Sequence, residues 1–570
     1  MIKNSPGSWL AFGIFAISVI EGFPRSAYAQ DGGFSVSENS TVSSLGDLFL
    51  VGETRRLPAG QRQSSPLEHP PGRLFNFETA NQLPANALEL TFGAHFTLFE
   101  DSPGTGNQLF YGNAAWGVTD NLELGLAYQN YDDPIAASIN GASPNLTLLS
   151  IAPSIQYRFL EADNLSLGVQ GSVEWLSFST ELFDTDDSGS SQVVGSLYLP
   201  ATYTVSPELQ VHLTPGVVFF PGRLSGFEFY DTVFTIGAGA SWQPSERWLL
   251  YSALNLPLGP GGNTINDDQS IGRRLVWTVG SRFNVTPKVS LNLYATNGFG
   301  TTPATQILTT IPEGNKPQLG LQLNYTPDLG LGYSSTYRDE PLTPLSDRDR
   351  QLLLDGFTLT SASTLEPGQV ALGAGGGTQS NYWLSATYSP DQDLQVEAIL
   401  EDYGSSDSVS SADTAGDSLR YMVGAKVRLF DQVQGDFLSL SARLLGGRDF
   451  DSDSTIGVIY GDVPMTYQVN DQTALMVNPR LAAFGDDVTF GLGFGINQEV
   501  ADGWQLIGEV TPVFGGGRLV WAAGTRYSFT DIPLNLDLYT TNALGSNTLG
   551  TLVGESGLSL GAALHWIFGN

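Results

Sequence analysis

The chain repeats the same short sequence patterns in its two halves. Residues 200–205 (PATYTV) return as residues 464–469 (PMTYQV), 264 positions later, and residues 274–277 (RLVW) return as residues 518–521, 244 positions later. Each repeat belongs to a run in which apolar and polar residues alternate and which ends at a predicted tight turn. Because a period of two places successive side chains on opposite faces of a β-strand, the pattern predicts an all-β chain formed by tandem duplication.

The clearest predicted hairpin covers residues 110–131, with a turn at 119–121. A shift of one residue in its register would move Glu123 onto the apolar face, so the pattern fixes which face meets lipid. Short turns alternate with longer loops along both halves, as in a barrel with periplasmic turns and extracellular loops. Large aromatic residues at strand ends indicate girdles at the membrane–water interfaces. They are Trp116, Tyr128, Tyr157, Trp175, Trp242, Trp248 and Trp277.

Counting strands in this way gives a transmembrane antiparallel β-barrel repeat of about twelve strands in each half. The first repeat covers residues 83–325 and the second covers residues 369–570, with a linker at 326–368. The length of the linker favours two separate barrels. The alternative is one barrel of 24–26 strands, because residues 329–337 form a further possible strand whose partner would lie in 352–360.

The N-terminal region predicts export. Residues 1–29 read as a signal peptide, with Lys3, an apolar run at 9–20 and the small residues Ala27 and Ala29 at the cleavage site. Twelve apolar residues are too few for the roughly 20 of a spanning helix, and no other segment is longer. Residues 30–82 are predicted to be a periplasmic N-terminal segment. The lack of cysteine argues against a disulfide-stabilised extracellular scaffold.

The formal net charge of −33 excludes nucleic acid as a partner, because phosphate binding needs basic patches. The acidic residues cluster in predicted loops, at 132–133, 181–187, 267–268 and 449–453. They are expected to form solvated loop surface. The alternative is weak binding of divalent cations that bridge outer-membrane lipid.

The last strand carries a family resemblance. Leu558, Leu560, Ala562, Leu564, Trp566 and Phe568 share one face and end two residues before the last residue. This pattern resembles the C-terminal signature of the bacterial outer-membrane β-barrel superfamily, although Gly569 and Asn570 follow the final aromatic residue. The resemblance implies a location in the bacterial outer membrane, contact with its lipid and assembly by the barrel-insertion machinery. The duplicated barrel also weakly resembles barrels associated with exopolysaccharide export.

If the apolar faces point outward, the charged residues of the opposite faces line the lumens. These lumen-lining candidates are Glu123, Arg158, Glu174, Arg282, Glu397, Glu401, Arg420, Lys426, Arg428, Arg443, Arg480, Glu509 and Arg526. Antiparallel pairing is expected to bring Glu397 near Lys426 and Arg428, and Glu401 near Arg420. Two interpretations stay open: cross-strand ion pairs in a hydrated lumen, or a basic strip that guides an anionic solute.

No motif predicts covalent chemistry. The four histidines, His69, His95, His212 and His565, have no neighbours that suggest a catalytic triad, and no pattern predicts a metal site, a cofactor or a phosphate-binding loop. The sequence therefore predicts a non-enzymatic channel or export protein that lets small polar solutes or polymer pass through a polar lumen. The alternative is a non-conducting structural or assembly barrel whose segments 30–82 and 326–368 bind a periplasmic partner.

Overall fold

The protein forms two closed antiparallel β-barrels in a computed structural model. The model describes residues 63–97, 108–135, 139, 144–180, 190–224, 226–337, 342–379, 381–403, 419–449, 457–484, 487–515, 517–529 and 532–569. In each barrel every strand pairs with its neighbours in sequence, and the last strand pairs with the first. Closure gives every strand two partners and leaves no free sheet edge, which is what a hydrocarbon environment demands.

The first barrel has twelve strands, one of which is broken at residues 199–200. They are Leu88–Thr97, Leu109–Thr119, Leu122–Pro134, Asn145–Glu161, Leu165–Thr180, Ser190–Tyr198 continued by Ala201–Ser206, Leu209–Phe219, Thr232–Ser245, Trp248–Leu258, Val276–Asn284, Val289–Thr296 and Gln318–Tyr325. The barrel closes where Gln318–Tyr325 pairs with Leu88–Thr97. Its long loops carry two small hairpins, Arg223–Leu224 with Phe227–Glu228 and Thr264–Ile265 with Ile271–Gly272.

The second barrel repeats this plan. Its strands are Val370–Gly377, Tyr382–Asp391, Leu394–Asp402, Arg420–Phe430, Ser439–Asp449, Gly457–Asp462 continued by Met465–Gln468, Thr473–Phe484, Asp487–Ala501, Trp504–Thr511 followed by the short Val513–Phe514, Val520–Ser528, Leu534–Ala543 and Gly554–Phe568. Gly554–Phe568 closes the barrel against Val370–Gly377. The described helices are short: the α-helix Asp347–Gln351 and the 3-10 helices Pro66–Glu68, Thr305–Ile307, Gln432–Gln434 and Thr548–Leu552.

Side chains alternate between an apolar outer face and a polar inner face. In Trp248–Leu258 every second residue is exposed and the residues between are buried. Glu123 faces the lumen and its neighbour Leu124 is exposed on the outside. The apolar residues of the final strand, such as Leu560 and Trp566, are also exposed outside. Of the predicted girdle residues, Trp116, Tyr157, Trp175, Trp242 and Trp248 are exposed.

The two barrels pack side by side. An apolar cluster joins Leu90 and Leu323 of the first barrel to Leu394 and Val427 of the second. At the short-turn end Lys288 pairs with Asp391, and both side chains are buried. At the long-loop end Arg448 Nη1 lies 2.8 Å from Asp132 Oδ2. The outward faces of these strands therefore meet protein instead of lipid, which the alternation in sequence does not reveal.

The preference for two twelve-stranded barrels is confirmed, and the alternative of one barrel with 24–26 strands is wrong. Residues 329–337 have no strand structure, and 352–360 pack inside the second barrel. No helix in the part of the chain that the structure describes is long and apolar enough to cross a membrane. The predicted signal peptide and most of the acidic clusters at 181–187 and 449–453 lie outside the described residues.

Candidate functional site: two plugged lumens

Each lumen is occupied by the segment that precedes its first strand. The walls of an eight-stranded barrel can fill their own interior, and barrels of 16 or more strands normally hold a water channel. Twelve strands leave a space between these limits, and here protein fills most of it. We call residues 65–84 the first plug and residues 346–367 the second plug. The sequence predicts a periplasmic segment at 30–82 and a linker at 326–368; residues 30–62 lie outside the described part of the chain, and the two plugs belong almost entirely to the rest.

The first plug places its tip, residues 74–80, in the middle of the first lumen. The ring of Phe75 stacks on Tyr294 with 3.8 Å between centroids, and it also contacts Tyr111 edge-on. Thr278 Oγ1 donates to Asn76 Oδ1 at 2.7 Å. These contacts come from one side of the barrel, and Gln156, Thr202 and Thr214 contact the tip from the other side, so the tip spans the lumen.

The plug needs glycines in the wall to fit. A Cβ atom added at Gly237 would lie 2.6 Å from Cε2 of Phe77, closer than real Cβ contacts allow. In the second barrel a Cβ at Gly493 would lie 2.4 Å from Cδ2 of Leu359. Both glycines let a plug side chain approach the wall backbone. Glycines in the two walls therefore make room for the plugs.

Neutral groups of the wall hold the tip of the first plug. The backbone N–H of Ala80 donates to Thr202 Oγ1 at 2.9 Å, Gln156 Nε2 donates to the Thr79 carbonyl at 2.9 Å, and Thr214 Oγ1 donates to the Glu78 carbonyl at 2.8 Å. Each such bond contributes about 0.5–1.5 kcal/mol net.

The charges of the first plug mostly satisfy one another. Arg73 Nε lies 3.2 Å from Glu78 Oε1, and both belong to the plug. Burial raises the pKa of Glu78, and Arg73 opposes this shift only in part. Charged wall groups act at the ends of the plug, where Arg282 Nη2 donates to the carbonyls of Leu67 and His69 at 2.8 Å.

The second plug makes the corresponding neutral contacts. Phe357 stacks on Tyr539, as Phe75 does on Tyr294, with 4.9 Å between centroids. The Ala362 N–H donates to Thr466 Oγ1 at 3.1 Å, as Ala80 does to Thr202. Thr202 and Thr466 belong to the repeated sequence at 200–205 and 464–469. The two plugs thus occupy equivalent positions.

Charged wall groups hold the tip of the second plug, residues 356–362. Glu509 accepts from the N–H groups of Phe357 at 2.9 Å and Thr358 at 2.7 Å. Arg480 Nη1 donates to the Thr358 carbonyl at 2.7 Å, and Arg443 Nη1 donates to Thr360 Oγ1 at 3.1 Å. Hydrogen bonds to charged groups contribute about 1.5–3 kcal/mol, roughly twice the neutral value.

Asp355 carries a further charge link between the second plug and its wall. Lys426 Nζ lies 3.6 Å from Asp355 Oδ1, and Arg526 donates to the Asp355 carbonyl at 2.8 Å. Burial alone would raise the pKa of Asp355. Lys426 and Arg443 outweigh this effect and hold the pKa below its usual value.

A loop folds into each lumen from the opposite end. In the first barrel Glu174 accepts from Thr302 Oγ1 at 2.7 Å and from the Ala304 N–H at 3.1 Å. In the second barrel Glu401 accepts from Thr548 Oγ1 at 2.5 Å and from the Asn547 N–H at 3.0 Å. One wall carboxylate therefore anchors the inserted loop in each barrel, and plug and loop together fill the lumen.

The two lumens differ in the space that remains. The first holds a cavity of about 300 Å³ between the plug and the wall, lined by residues that include Glu89, Glu123 and Gln170. A smaller cavity of about 40 Å³ follows it, next to Phe75 and Tyr111. The second lumen holds a cavity of about 70 Å³ beside its plug, lined by residues that include Phe357 and Tyr539.

The structure places the predicted lumen-lining residues as follows. Glu123, Arg282, Arg443, Lys426, Arg480, Glu509 and Arg526 contact a plug. Glu174 and Glu401 bind inserted loops, Glu397 pairs with Arg443, and Arg420 packs over Tyr403. Arg158 and Arg428 lie near the short turns, paired with Glu161 and Asp393. That any of them contacts a solute stays a prediction.

The expected partners of Glu397 need correction. Glu397 lies opposite Gly424 in the register, and its ion pair is with Arg443, whose Nη2 lies 2.6 Å from Oε2. Lys426 reaches Asp355 of the plug, and Arg428 reaches Asp393 and Asp431. The prediction counted wall residues alone and did not consider an acid supplied by the plug. The expected neighbours Glu401 and Arg420 do lie opposite each other.

Sequence reasoning missed the plug residues, above all Arg73, Phe75, Glu78, Asp355 and Phe357. A signal was present, because residues 75–83 (FNFETANQL) and 357–365 (FTLTSASTL) align at an offset of 282. The histidines are buried structural groups in two cases: His95 contacts Tyr294 Oη at 3.2 Å, and His212 lies between Thr202 and Ser241 at 3.0 Å.

Comparison with known proteins was made for sequence and for structure. No protein-family model matches the chain, and no curated protein sequence matches it. Among solved structures it is similar to the NanC porin, with 10% identity over 42% of this chain and 99% of that chain and a TM-score of 0.27. It is also similar to the siderophore receptor PirA from Pseudomonas aeruginosa, with 8% identity, 86% and 81% coverage and a TM-score of 0.21.

The copper transporter OprC shows a comparable likeness, with 10% identity, 86% and 81% coverage and a TM-score of 0.21. All three TM-scores are low, so the barrel architecture rests on the strand pairing of this chain.

Proposed function

We propose that the protein is a transport protein of the bacterial outer membrane whose first barrel is a plugged, gated conduit. The proposal rests on how much space each plug leaves in its lumen: the first lumen has a cavity of about 300 Å³ beside its plug, and the second has one of about 70 Å³. Polar inner faces and apolar outer faces suit passage of polar solutes through a membrane. The second barrel is then mainly a structural support.

The proposal replaces free diffusion with gated passage. Both plugs cross the middle of their lumens, so the plugged state offers little continuous water. Passage through the first lumen requires its tip, residues 74–80, to move away from Tyr294 and Thr202. Neutral hydrogen bonds, one aromatic stack and the bonds of Gln170 and Gln306 to the Glu78 carboxylate hold this tip. The wall groups in these contacts are uncharged, so the contacts can break without leaving a wall charge unpaired. We propose no covalent chemistry.

Conductance in planar bilayers tests the proposal. The intact protein should be closed most of the time. Phe75→Ala should raise the open probability at least roughly tenfold, since a lost buried phenylalanine costs about 3–5 kcal/mol. The matched variant Phe357→Ala should stay mostly closed, because Glu509, Arg480 and Lys426 still hold that tip.

Two results would contradict the gated conduit. A permanently open, large conductance of the intact protein would show that the plug does not close the lumen. Silence of both variants would favour the second candidate, a non-conducting barrel pair, which the dense filling of the second lumen supports. A heat-dependent shift in gel mobility, shown by both variants, would establish that each is folded.

A further inference from the structure

The cavity in the first lumen is lined by acidic side chains that lack a cationic partner among the described residues. Glu89, from the first strand, and Glu123, from the third, both line it. Glu123 accepts one hydrogen bond, from the Leu83 N–H at 2.9 Å. Glu89 forms no hydrogen bond or ion pair with the residues that the structure describes, and Arg282 acts on it only at longer range. Arg73 and Arg158 also line the cavity, but neither is paired with Glu89 or Glu123 among the residues that the structure describes.

The cations near this cavity already have partners. Arg73 is paired with Glu78 and also contacts the Thr301 carbonyl and Gln306 Oε1. At the rim Arg158 is paired with Glu161 at 2.9 Å. Glu123 lies within electrostatic range of both Glu89 and Glu78, so three acidic side chains stand close together on this side of the plug.

An independent observation also points to a missing donor. The side chain of Gln170 is 4% exposed and lines the cavity, yet its Oε1 atom has no hydrogen-bond partner among the described residues. Gln82 also lines the cavity, and its buried Oε1 atom is likewise unpartnered. A buried acceptor without a donor costs about 1–3 kcal/mol. A ligand with a positive charge and several N–H donors would supply the partners that these carboxylates and amide oxygens lack.

The second barrel provides an internal comparison. The repeat places Ala371 at the position of Glu89 and Gln395 at the position of Glu123, at offsets of 282 and 272. In the second barrel the side chain of Gln395 already has a partner, because its Nε2 donates to Glu397 at 2.9 Å. The acidic pair and the larger cavity therefore occur together in the first barrel and are both missing from the corresponding wall of the second.

We infer that the cavity bounded by Glu89, Glu123 and Gln170 is a binding site for a small organic cation of the ammonium class. This rests on the proposed function, since it names the class of solute that the first lumen would accept. An ammonium ligand fits better than a metal ion, because no group of three or more His, Cys, Asp or Glu side chains is placed to hold a metal within the described ranges. The volume lies at the small end of the usual range for ligand pockets, about 300–1,000 Å³.

Calorimetry on the intact protein in detergent tests the inference, with 1,4-diaminobutane as the probe and succinate as an anion of similar length. The diamine should bind with one site per chain, and succinate should not bind. Glu89→Gln and Glu123→Gln should each weaken diamine binding at least roughly tenfold, about 1.4 kcal/mol. The matched control Glu208→Gln removes one negative charge from an exposed turn of the same barrel and should leave binding unchanged.

Three results would overturn the inference: no heat of diamine binding, equal binding of succinate, or unchanged binding by Glu89→Gln. Equal weakening by Glu208→Gln would also overturn it, since that result means general charge attraction. The assay needs no open pore. If the protein binds the diamine but stays silent in bilayers, this inference holds and the proposed conduit is wrong. If the protein conducts in a gated way but does not bind the diamine, the conduit holds and this inference is wrong.

Discussion

The two plugs occupy the same place in their barrels and are held by different forces. Phe75 and Phe357 stack on equivalent tyrosines, and Ala80 and Ala362 donate to equivalent threonines. Around these shared contacts the charges differ. The tip of the first plug contacts neutral wall groups, whereas the tip of the second contacts Glu509 and several basic residues of its wall.

Single substitutions at equivalent positions account for much of this difference. The repeat places Asp355 where the first plug has Arg73, and Glu509 where the first wall has Ala253. Arg73 pairs inside its own plug, but Asp355 reaches Lys426 of the wall. The proposed function therefore assigns a releasable plug to the first copy and a locked plug to the second, according to where the charges lie.

Removal of the second plug should have the largest effect. A fragment of residues 342–570 should fold in detergent and show heat-dependent gel mobility, since it contains a closed barrel with its own plug. A fragment of residues 369–570 should fail to form a stable barrel, because Glu509, Arg480 and Lys426 would lose their plug contacts in a confined lumen. Equally stable folding of both fragments would show that the second plug is not part of the barrel's structure.

Loss of a charged wall residue that binds the second plug should have the second largest effect. Glu509→Ala leaves the N–H groups of Phe357 and Thr358 without their acceptor, and it should lower the free energy of unfolding by about 3–5 kcal/mol. A neutral contact of the first plug serves for comparison: Thr278→Val removes one neutral bond to Asn76 and should cost about 1 kcal/mol. Urea unfolding in detergent measures both. Similar losses in the two variants would contradict the claimed difference between the plugs.

The smallest effect should be similar in the two barrels. Thr202→Val and Thr466→Val each remove the acceptor for one plug N–H, at Ala80 or Ala362, and each should cost about 1–2 kcal/mol. Thr202→Val also removes the bond to His212 Nδ1, so its cost should lie at the upper end of this range. Similar losses would support an equivalent neutral framework in the two copies. A loss more than about 2 kcal/mol greater in one barrel would show that the shared contacts are not equivalent.

The sequence predicted the barrel walls far better than the plugs and loops inside them. Alternation around Glu123 and Leu124 specifies strand faces, since a one-residue error would bury a charge in lipid. The plugs could not be recognised in this way, because residues such as Phe75 and Asp355 lie in stretches without strand periodicity. Their partners also come from strands up to about 200 residues away, as Phe75 and Tyr294 illustrate. The ion pair of Glu397 was misassigned for another reason, because its partner Arg443 lies two strands away on the wall, beyond Gly424.

The packing between the two barrels also could not be predicted from the sequence. Leu90 and Val427 have the same alternation as lipid-facing residues, yet each is buried between the two barrels. Apolar side chains suit both environments, so hydrophobicity cannot separate them. The ion pairs Lys288–Asp391 and Arg448–Asp132 join residues from different barrels that local pattern does not connect.

Hydrogen exchange of the backbone amides in the two tips tests the central claim most directly. Under native conditions in detergent, amides of residues 74–80 and 356–362 report how often each tip leaves its wall. Charged anchors should make the second tip open at least roughly tenfold less often, about 1.4 kcal/mol. The account therefore predicts faster exchange for 74–80. Equal exchange in the two tips, or faster exchange for 356–362, would contradict it.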